Sequence, residues 1–278
     1  MRDVRVSDRV VIGPGHPLAL ICGPCVIEDK SVMATTAERL KLVTERLGLP
    51  LVFKSSYEKD NRSSEKLYSG PGLVEGLEML SWIRREYDLP VLSDVHREAD
   101  CALAAEVLDV LQIPAYLCQQ TSLLLAAGRT GKTINVKKGQ LLAPHNMASA
   151  ISKLESTGNR RIVLTERGSC FGYNTLVADI TSVPIMQDLG YPVVFDAGHI
   201  VRKYGIPSQD PSGGAPRFIP HLIRVGVAAG ANALFFEAHP NPPQAKCDAA
   251  TQVPLEEVEG ILTEAMELAC LVRRWGRA

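Results

Sequence analysis

Short apolar runs, rich in β-branched residues and bounded by turn formers, recur at residues 18–23, 51–55, 91–95, 110–113, 133–136, 161–165, 192–196 and 233–237. Runs of this length and composition predict buried strands. Most of the intervals carry apolar positions at helical spacing, which predicts helices over 31–47, 73–87, 99–108, 147–156 and 216–229, with a last one over 255–274. Strands alternating with helices imply a parallel sheet. Eight such units in 278 residues match an α/β protein of the closed (β/α)8 TIM barrel type better than an open doubly wound sheet. With no fixed-period repeat and no low-complexity linker, residues 1–278 read as one catalytic domain. Its opening extension, residues 1–16, is expected to form a hairpin that closes the barrel bottom.

Charge then narrows the choice of partner. Thirty Lys and Arg against 31 Asp and Glu leave a net charge of -1, so no global field draws the chain to nucleic acid or a membrane surface. Any anion site must be built locally. Charges interrupt the apolar stretches of the N-terminal MRDVRVSDRV, leaving no apolar core for a signal peptide, and a cytoplasmic location is expected. The longest apolar runs fall well short of the ~20 residues of a membrane-spanning helix. Seven unspaced cysteines fit a reduced compartment rather than a disulfide scaffold.

In barrels of this kind the active site lies where the strands end. Those ends carry Cys25, Lys54, Asp94 with His96, Gln112, Lys137 with Lys138, Glu166 with Arg167, Asp196 with His199, and Glu237 with His239. A purely structural rim needs only caps and turn formers. Cations, carboxylates, imidazoles and a thiol at all eight positions point to a strongly anionic small molecule. Lys54, Lys59, Arg62, Lys137, Lys138 and Arg167 supply the charge, and an arginine fork grips a phosphate in two places. Gly131-Lys132-Thr133 resembles the end of a P-loop, but the upstream glycine it needs is Ala126. The loop Lys59-Asp60-Asn61-Arg62-Ser63-Ser64 sets cation, amide and hydroxyls side by side, which suits a phosphorylated sugar or, more plainly, a solvated loop.

Cys22-Gly23-Pro24-Cys25 admits three readings: a dithiol redox pair, two buried thiols acting as small apolar groups, or a metal ligand at Cys25. The third gains from the barrel, which would bring His199, Glu237 and Asp248 toward Cys25. One thiolate, one imidazole and two carboxylates suit a borderline divalent metal such as zinc, iron, manganese or cobalt.

Gly23-Pro24-Cys25, Phe53-Lys54-Ser55-Ser56, Asn61-Arg62-Ser63-Ser64, Gln112-Ile113-Pro114-Ala115, Asn135-Val136-Lys137-Lys138-Gly139-Gln140, Leu164-Thr165-Glu166-Arg167-Gly168 and Glu237-Ala238-His239-Pro240 together resemble the 3-deoxy-D-manno-octulosonate 8-phosphate synthases. The resemblance runs in order from about residue 20 to residue 260. It implies a (β/α)8 barrel, usually a homotetramer, that condenses phosphoenolpyruvate with D-arabinose 5-phosphate and water for lipopolysaccharide synthesis. It also implies that Lys54, Lys59, Lys137, Arg167 and the loop from Gln112 to Ala115, with Asp94 near them, hold phosphoenolpyruvate. Asn61, Arg62 and Ser63 would hold the sugar phosphate, and Cys25, His199, Glu237 and Asp248 the metal of the metal-dependent branch. The catalytic groups it implies are Lys54, Lys137, Arg167, His199 and Asp248, with the general base left open.

Where the family pattern has an arginine that reaches a neighbouring subunit's sugar phosphate, this chain has Gln119. A charge-assisted hydrogen bond is worth roughly 1.5–3 kcal/mol, so weaker sugar-phosphate binding is expected. Two alternatives stand beside this reading. One is the sister 3-deoxy-D-arabino-heptulosonate 7-phosphate synthase, or a synthase using another aldose phosphate; the other is a dithiol oxidoreductase built on Cys22 and Cys25.

Overall fold

The computed structural model describes residues 1–275, so residues 276–278 of the expected domain lie outside the described residues. Eight parallel strands follow one another around a ring: β1 (Ala19–Gly23), β2 (Leu51–Lys54), β3 (Val91–Asp94), β4 (Val110–Ile113), β5 (Thr133–Lys137), β6 (Ile162–Glu166), β7 (Val193–Asp196) and β8 (Ala233–His239). β8 pairs with both β7 and β1, setting Ala233 opposite Ala19 and Glu237 opposite Gly23, so the sheet has no free edge there. The expected TIM barrel is what the chain forms.

Strand periodicity sorts the apolar residues into two layers. Ala19, Ile21, Val52, Leu92, Val110, Val163, Val194, Ala233 and Phe235 fill the interior. Their neighbours Leu20, Cys22, Phe53, Leu111, Val136, Leu164, Phe195 and Phe236 face outward against the helices. Strands buried on both faces read as continuous apolar runs, which is why they were visible in the sequence.

The longer helices are α1 (Lys30–Leu47), α2 (Leu73–Tyr87), α3 (Glu98–Val107), α4 (Thr121–Arg129), α5 (Ala148–Ser156), α6 (Ser182–Gln187), α7 (Ile219–Ala228) and α8 (Val258–Arg274), and a single helical turn over Ala197–Ile200 carries His199. α1 starts at Asp29, whose carboxylate accepts from the backbone N–H of Ser31 and Val32, and ends at Gly48 in the left-handed region. α4 and α6 were not expected. Each is short, and α6 carries Pro184 in its first turn, where a missing N–H costs nothing.

At the bottom, Val4–Arg5 pairs antiparallel with Val11–Ile12, as the hairpin expectation required. Val4, Val6, Val10 and Ile12 join the interior cluster and plug the ring. Each such buried side chain contributes about 1.5–3 kcal/mol as an upper estimate. Arg161 and Thr133 donate to the carbonyl of Arg5 and tie the plug to the strands.

Two features shape the opposite end. A Cβ at Gly23 would stand 2.1 Å from the carbonyl oxygen of Lys54, so only glycine lets β1 end this close to β2. After β8, the strand Gln252–Pro254 pairs parallel with Glu237 to His239, prolonging β8 and holding the loop that carries Asp248 over the barrel mouth.

Candidate active site

The mouth encloses a cavity of about 430 Å³. Lys59, Asn61, Arg62, Ser63, Asp94, Ala115, Lys137, Arg167, His199 and Asp248 all line it, although they come from segments far apart in sequence. Lys54, Gln112, Cys25 and Glu237 lie one layer lower, each no more than 1% exposed.

The floor is a web of paired charges. Lys54 Nζ donates to the carbonyl of Cys25 at 2.8 Å and forms an ion pair with Glu237. Lys137 Nζ donates to Asp196 Oδ2 at 2.9 Å and sits 3.9 Å from the centre of the Phe235 ring, a cation–π contact. Burial lowers the Lys137 pKa, and its carboxylate neighbours Asp196 and Asp94 only partly offset this. Asp94 accepts from Ser56 Oγ, Lys59 Nζ and Gln112 Nε2. Burial alone would raise its pKa, but Lys59, Lys54 and Lys137 outweigh that and hold it well below the usual carboxylate range. Gln112 is fixed in turn by Asn135, and Asn135 by Thr165, so a chain of side-chain hydrogen bonds crosses four strands beneath the cavity.

Above the floor, cationic donors are left without partners. Arg167 Nη1 and Arg62 Nε and Nη2 are buried and make no hydrogen bond within the protein. A buried guanidinium with unmade bonds is costly unless an anion supplies them. Arg62 is braced through its other nitrogen by Ser208 Oγ, on the loop after His199. That loop also contributes Arg202 and Tyr204 to the wall, and neither was picked out from the sequence. Their nearness to His199 was the available signal.

Lys138 was expected to add charge to the site, and the structure corrects this. It is one residue beyond Lys137, so it turns to the opposite face of the sheet, fully buried 3.6 Å from Glu166. His239 does not line the cavity; its Nε2 lies 3.5 Å from Glu28 Oε1.

At one edge of the mouth the proposed metal donors converge. Asp248 Oδ2 lies 3.3 Å from Cys25 Sγ and 4.0 Å from His199 Nε2, which is itself 3.8 Å from Glu237 Oε1. Ligands at 2.0–2.3 Å from a tetrahedral centre stand about 3.3–3.8 Å apart; Cys25 with Asp248 and His199 with Glu237 fall in that range, Asp248 with His199 just beyond it, and the donors form two triads, Cys25–Cys247–Asp248 and His199–Glu237–Asp248, that share Asp248. Asp196 accepts from the backbone N–H of His199 at 3.0 Å and its Oδ2 lies 2.9 Å from the ring Nδ1, leaving Nε2 aimed at the other donors. Glu237 Oε2 is buried without a partner. An orphaned carboxylate oxygen beside a thiol, an imidazole and a second carboxylate is the chemistry a metal ion satisfies.

The dithiol reading of Cys22 and Cys25 does not survive. Cys22 packs in the layer between barrel and helices, whereas Cys25 belongs to a separate cluster with Val26 and Cys247.

Fold and mouth together define a class: a (β/α)8 barrel enzyme whose C-terminal face receives small, multiply anionic substrates. The chain belongs to the DAHP synthetase I family, whose sequence model matches residues 2–273. It is 50% identical over 270 residues to the 2-dehydro-3-deoxyphosphooctonate aldolase of Syntrophotalea carbinolica, with 97% of each chain covered. It is 47% identical over 277 residues to the protein of that name from Protochlamydia amoebophila, with 100% of both chains covered. The resemblance carried by the sequence motifs is borne out by these relatives.

Proposed function

We propose that this chain condenses phosphoenolpyruvate with D-arabinose 5-phosphate and water to give 3-deoxy-D-manno-octulosonate 8-phosphate and inorganic phosphate. The observation that carries this reading is the pair of arginines, Arg62 and Arg167, with unmet buried donors in one cavity. Two anion sites in a single mouth are what a reaction between two phosphate esters requires.

Arg167 and Lys137 hold phosphoenolpyruvate, with Lys59 and the Asp94 web fixing the wall around it. Asn61, Arg62 and Ser63 hold the sugar phosphate. Carbon three of phosphoenolpyruvate forms the new bond to the sugar aldehyde, water adds at carbon two, and the phosphate leaves by carbon–oxygen cleavage. Holding the two anions side by side prepays the entropy of the encounter, and fixed cations stabilise the charge that develops on the way. Cys25, His199, Glu237 and Asp248 would hold a divalent ion, which when bound orients a substrate oxygen and stabilises negative charge. Zinc, iron, manganese and cobalt all suit the mixed donor set.

In this reading the enzyme is a homotetramer, cytoplasmic, and serves lipopolysaccharide synthesis, with no nucleic acid or membrane partner. Support for self-association comes from Tyr116, Leu141, Phe171 and Tyr173, large apolar side chains exposed at 65–97% on the rim. Gln119 lines the same rim groove. Among the described residues no helix is long and apolar enough to cross a membrane.

The test is phosphate release from phosphoenolpyruvate with arabinose 5-phosphate, erythrose 4-phosphate or no aldose, before and after chelation and metal return. Release confined to arabinose 5-phosphate, lost on chelation and restored by metal, is expected. Release with erythrose 4-phosphate alone would move the chain to the sister activity, and release indifferent to chelator would remove the metal.

A further inference from the structure

Lys138 and Glu166 are the chain neighbours of two cations that line the mouth, Lys137 and Arg167. Successive residues of a strand point to opposite faces, so this second pair lies behind the sheet, where both residues are 0% exposed. The strand residues that precede them on that face, Val136 and Leu164, are apolar. A buried ion pair seldom stabilises a fold more than apolar residues of the same volume, so stability alone gives no reason for charge here.

What both groups do is hold backbone. Glu166 Oε1 accepts from the backbone N–H of Gly168 at 2.6 Å, closing a turn with Arg167 at its middle. Gly168 has a φ of 95°, which a side chain there would strain. Lys138 Nζ donates to the carbonyls of Gly139 and Leu142 at 3.4 and 3.3 Å and to Ser169 Oγ at 3.1 Å, and lies 3.6 Å from Glu166 Oε2. One ammonium thus ties the segment after β5 to the segment after β6. The backbone N–H of Cys170 adds a bond to the carbonyl of Gln140 between the same two segments. Arg167 Nη1 makes no hydrogen bond among the described residues, so the guanidinium takes its place from the turn that Glu166 closes.

We propose that Lys138 and Glu166 are positioning residues for the anion site: they set the separation of Lys137 and Arg167, and with it the grip on phosphoenolpyruvate. This rests on the assignment of Lys137 and Arg167 to phosphoenolpyruvate given above and adds the pair that keeps them in place. Neither residue lines the cavity. An anion held between two cations is sensitive to their spacing, and a misplacement of about 1 Å costs up to roughly 100-fold in rate.

The experiment titrates phosphoenolpyruvate onto the full-length protein by calorimetry, without the sugar, and measures KM for each substrate in parallel. The variants are Lys138→Met and the double variant Lys138→Met with Glu166→Leu, which leaves no lone buried charge and serves should the single variant fail to fold. Circular dichroism checks each fold. Both variants are expected to bind phosphoenolpyruvate about tenfold more weakly and to raise its KM as much, with KM for arabinose 5-phosphate within about twofold of wild type. A pair that serves only the barrel would raise both KM values together, and that outcome overturns the inference. Unchanged phosphoenolpyruvate affinity in the folded double variant overturns it as well, as does a double variant that does not fold. In all three cases wild-type binding leaves the proposed function standing. A wild-type protein that takes up no phosphoenolpyruvate overturns the proposed function and this inference together.

Discussion

The ammonium of Lys54 meets the carboxylate of Glu237 inside the barrel, with both side chains 1% exposed. The pair sits directly beneath the cavity and ties β2 to β8 across β1. Its position makes it a structural device as much as a chemical one.

Removing one partner leaves a buried charge alone. Lys54→Met should lower the stability of the metal-free protein by about 3–5 kcal/mol in urea denaturation, and adding Glu237→Gln should recover most of the loss. A Lys54→Met loss below about 1 kcal/mol would show that the pair is not desolvated as the geometry requires.

The two arginines should separate by substrate. Arg62→Ala is expected to raise KM for the sugar phosphate, and Arg167→Ala that for phosphoenolpyruvate, each by about 10–100-fold. Steady-state kinetics with each substrate varied in turn checks this. Equal rises in both KM values for either variant would mean one shared anion site.

Asp196 sets the ring of His199. Asp196→Asn should weaken metal binding about 10–100-fold in a chelator competition, because the imidazole loses the carboxylate that aims Nε2. Unchanged affinity would show that the ring is oriented by packing alone.

Burial holds the pKa of His96 below its ordinary 6.5, although Asp94 pulls the other way. The unfolded chain therefore takes up a proton first as pH falls below about 6.5, and stability is lost across that window until the folded-state pKa is passed. His96→Asn should remove this component, so the wild-type minus variant difference in unfolding free energy should fall between pH 7.5 and pH 5. A difference that stays flat would mean His96 titrates alike in both states.

By the resemblance read from the sequence, Gln119 takes the place of an arginine. Gln119→Arg should lower KM for the sugar phosphate about tenfold by restoring a charge-assisted bond. If the value does not move, position 119 does not meet that phosphate in this protein.

How far the chain could be read depended on which forces are local. The strands were legible because burial on both faces makes them apolar throughout, and the rim residues were legible because a polar residue ending such a run has few structural uses. Lys137 and Lys138 were not separable. Both are cationic, and only the pleat sends one into the mouth and the other to Glu166. Cys247 was invisible as a partner for Cys25 because their meeting depends on Gln252, whose place is set by pairing with β8 rather than by anything near it in sequence. α6 was missed because six residues hold too few turns for its periodicity to stand out.

The ring closes by joining its first strand to its last, and this orders events during synthesis. Val4, Val6, Val10 and Ile12 have no complete interior to enter until residues 233–239 have left the ribosome. A segment made more than two hundred residues before β8 is thus among the last to be sheltered. A nascent chain stalled before β8 carries those apolar side chains unshielded, a natural handle for chaperones and, in their absence, a seed for aggregation.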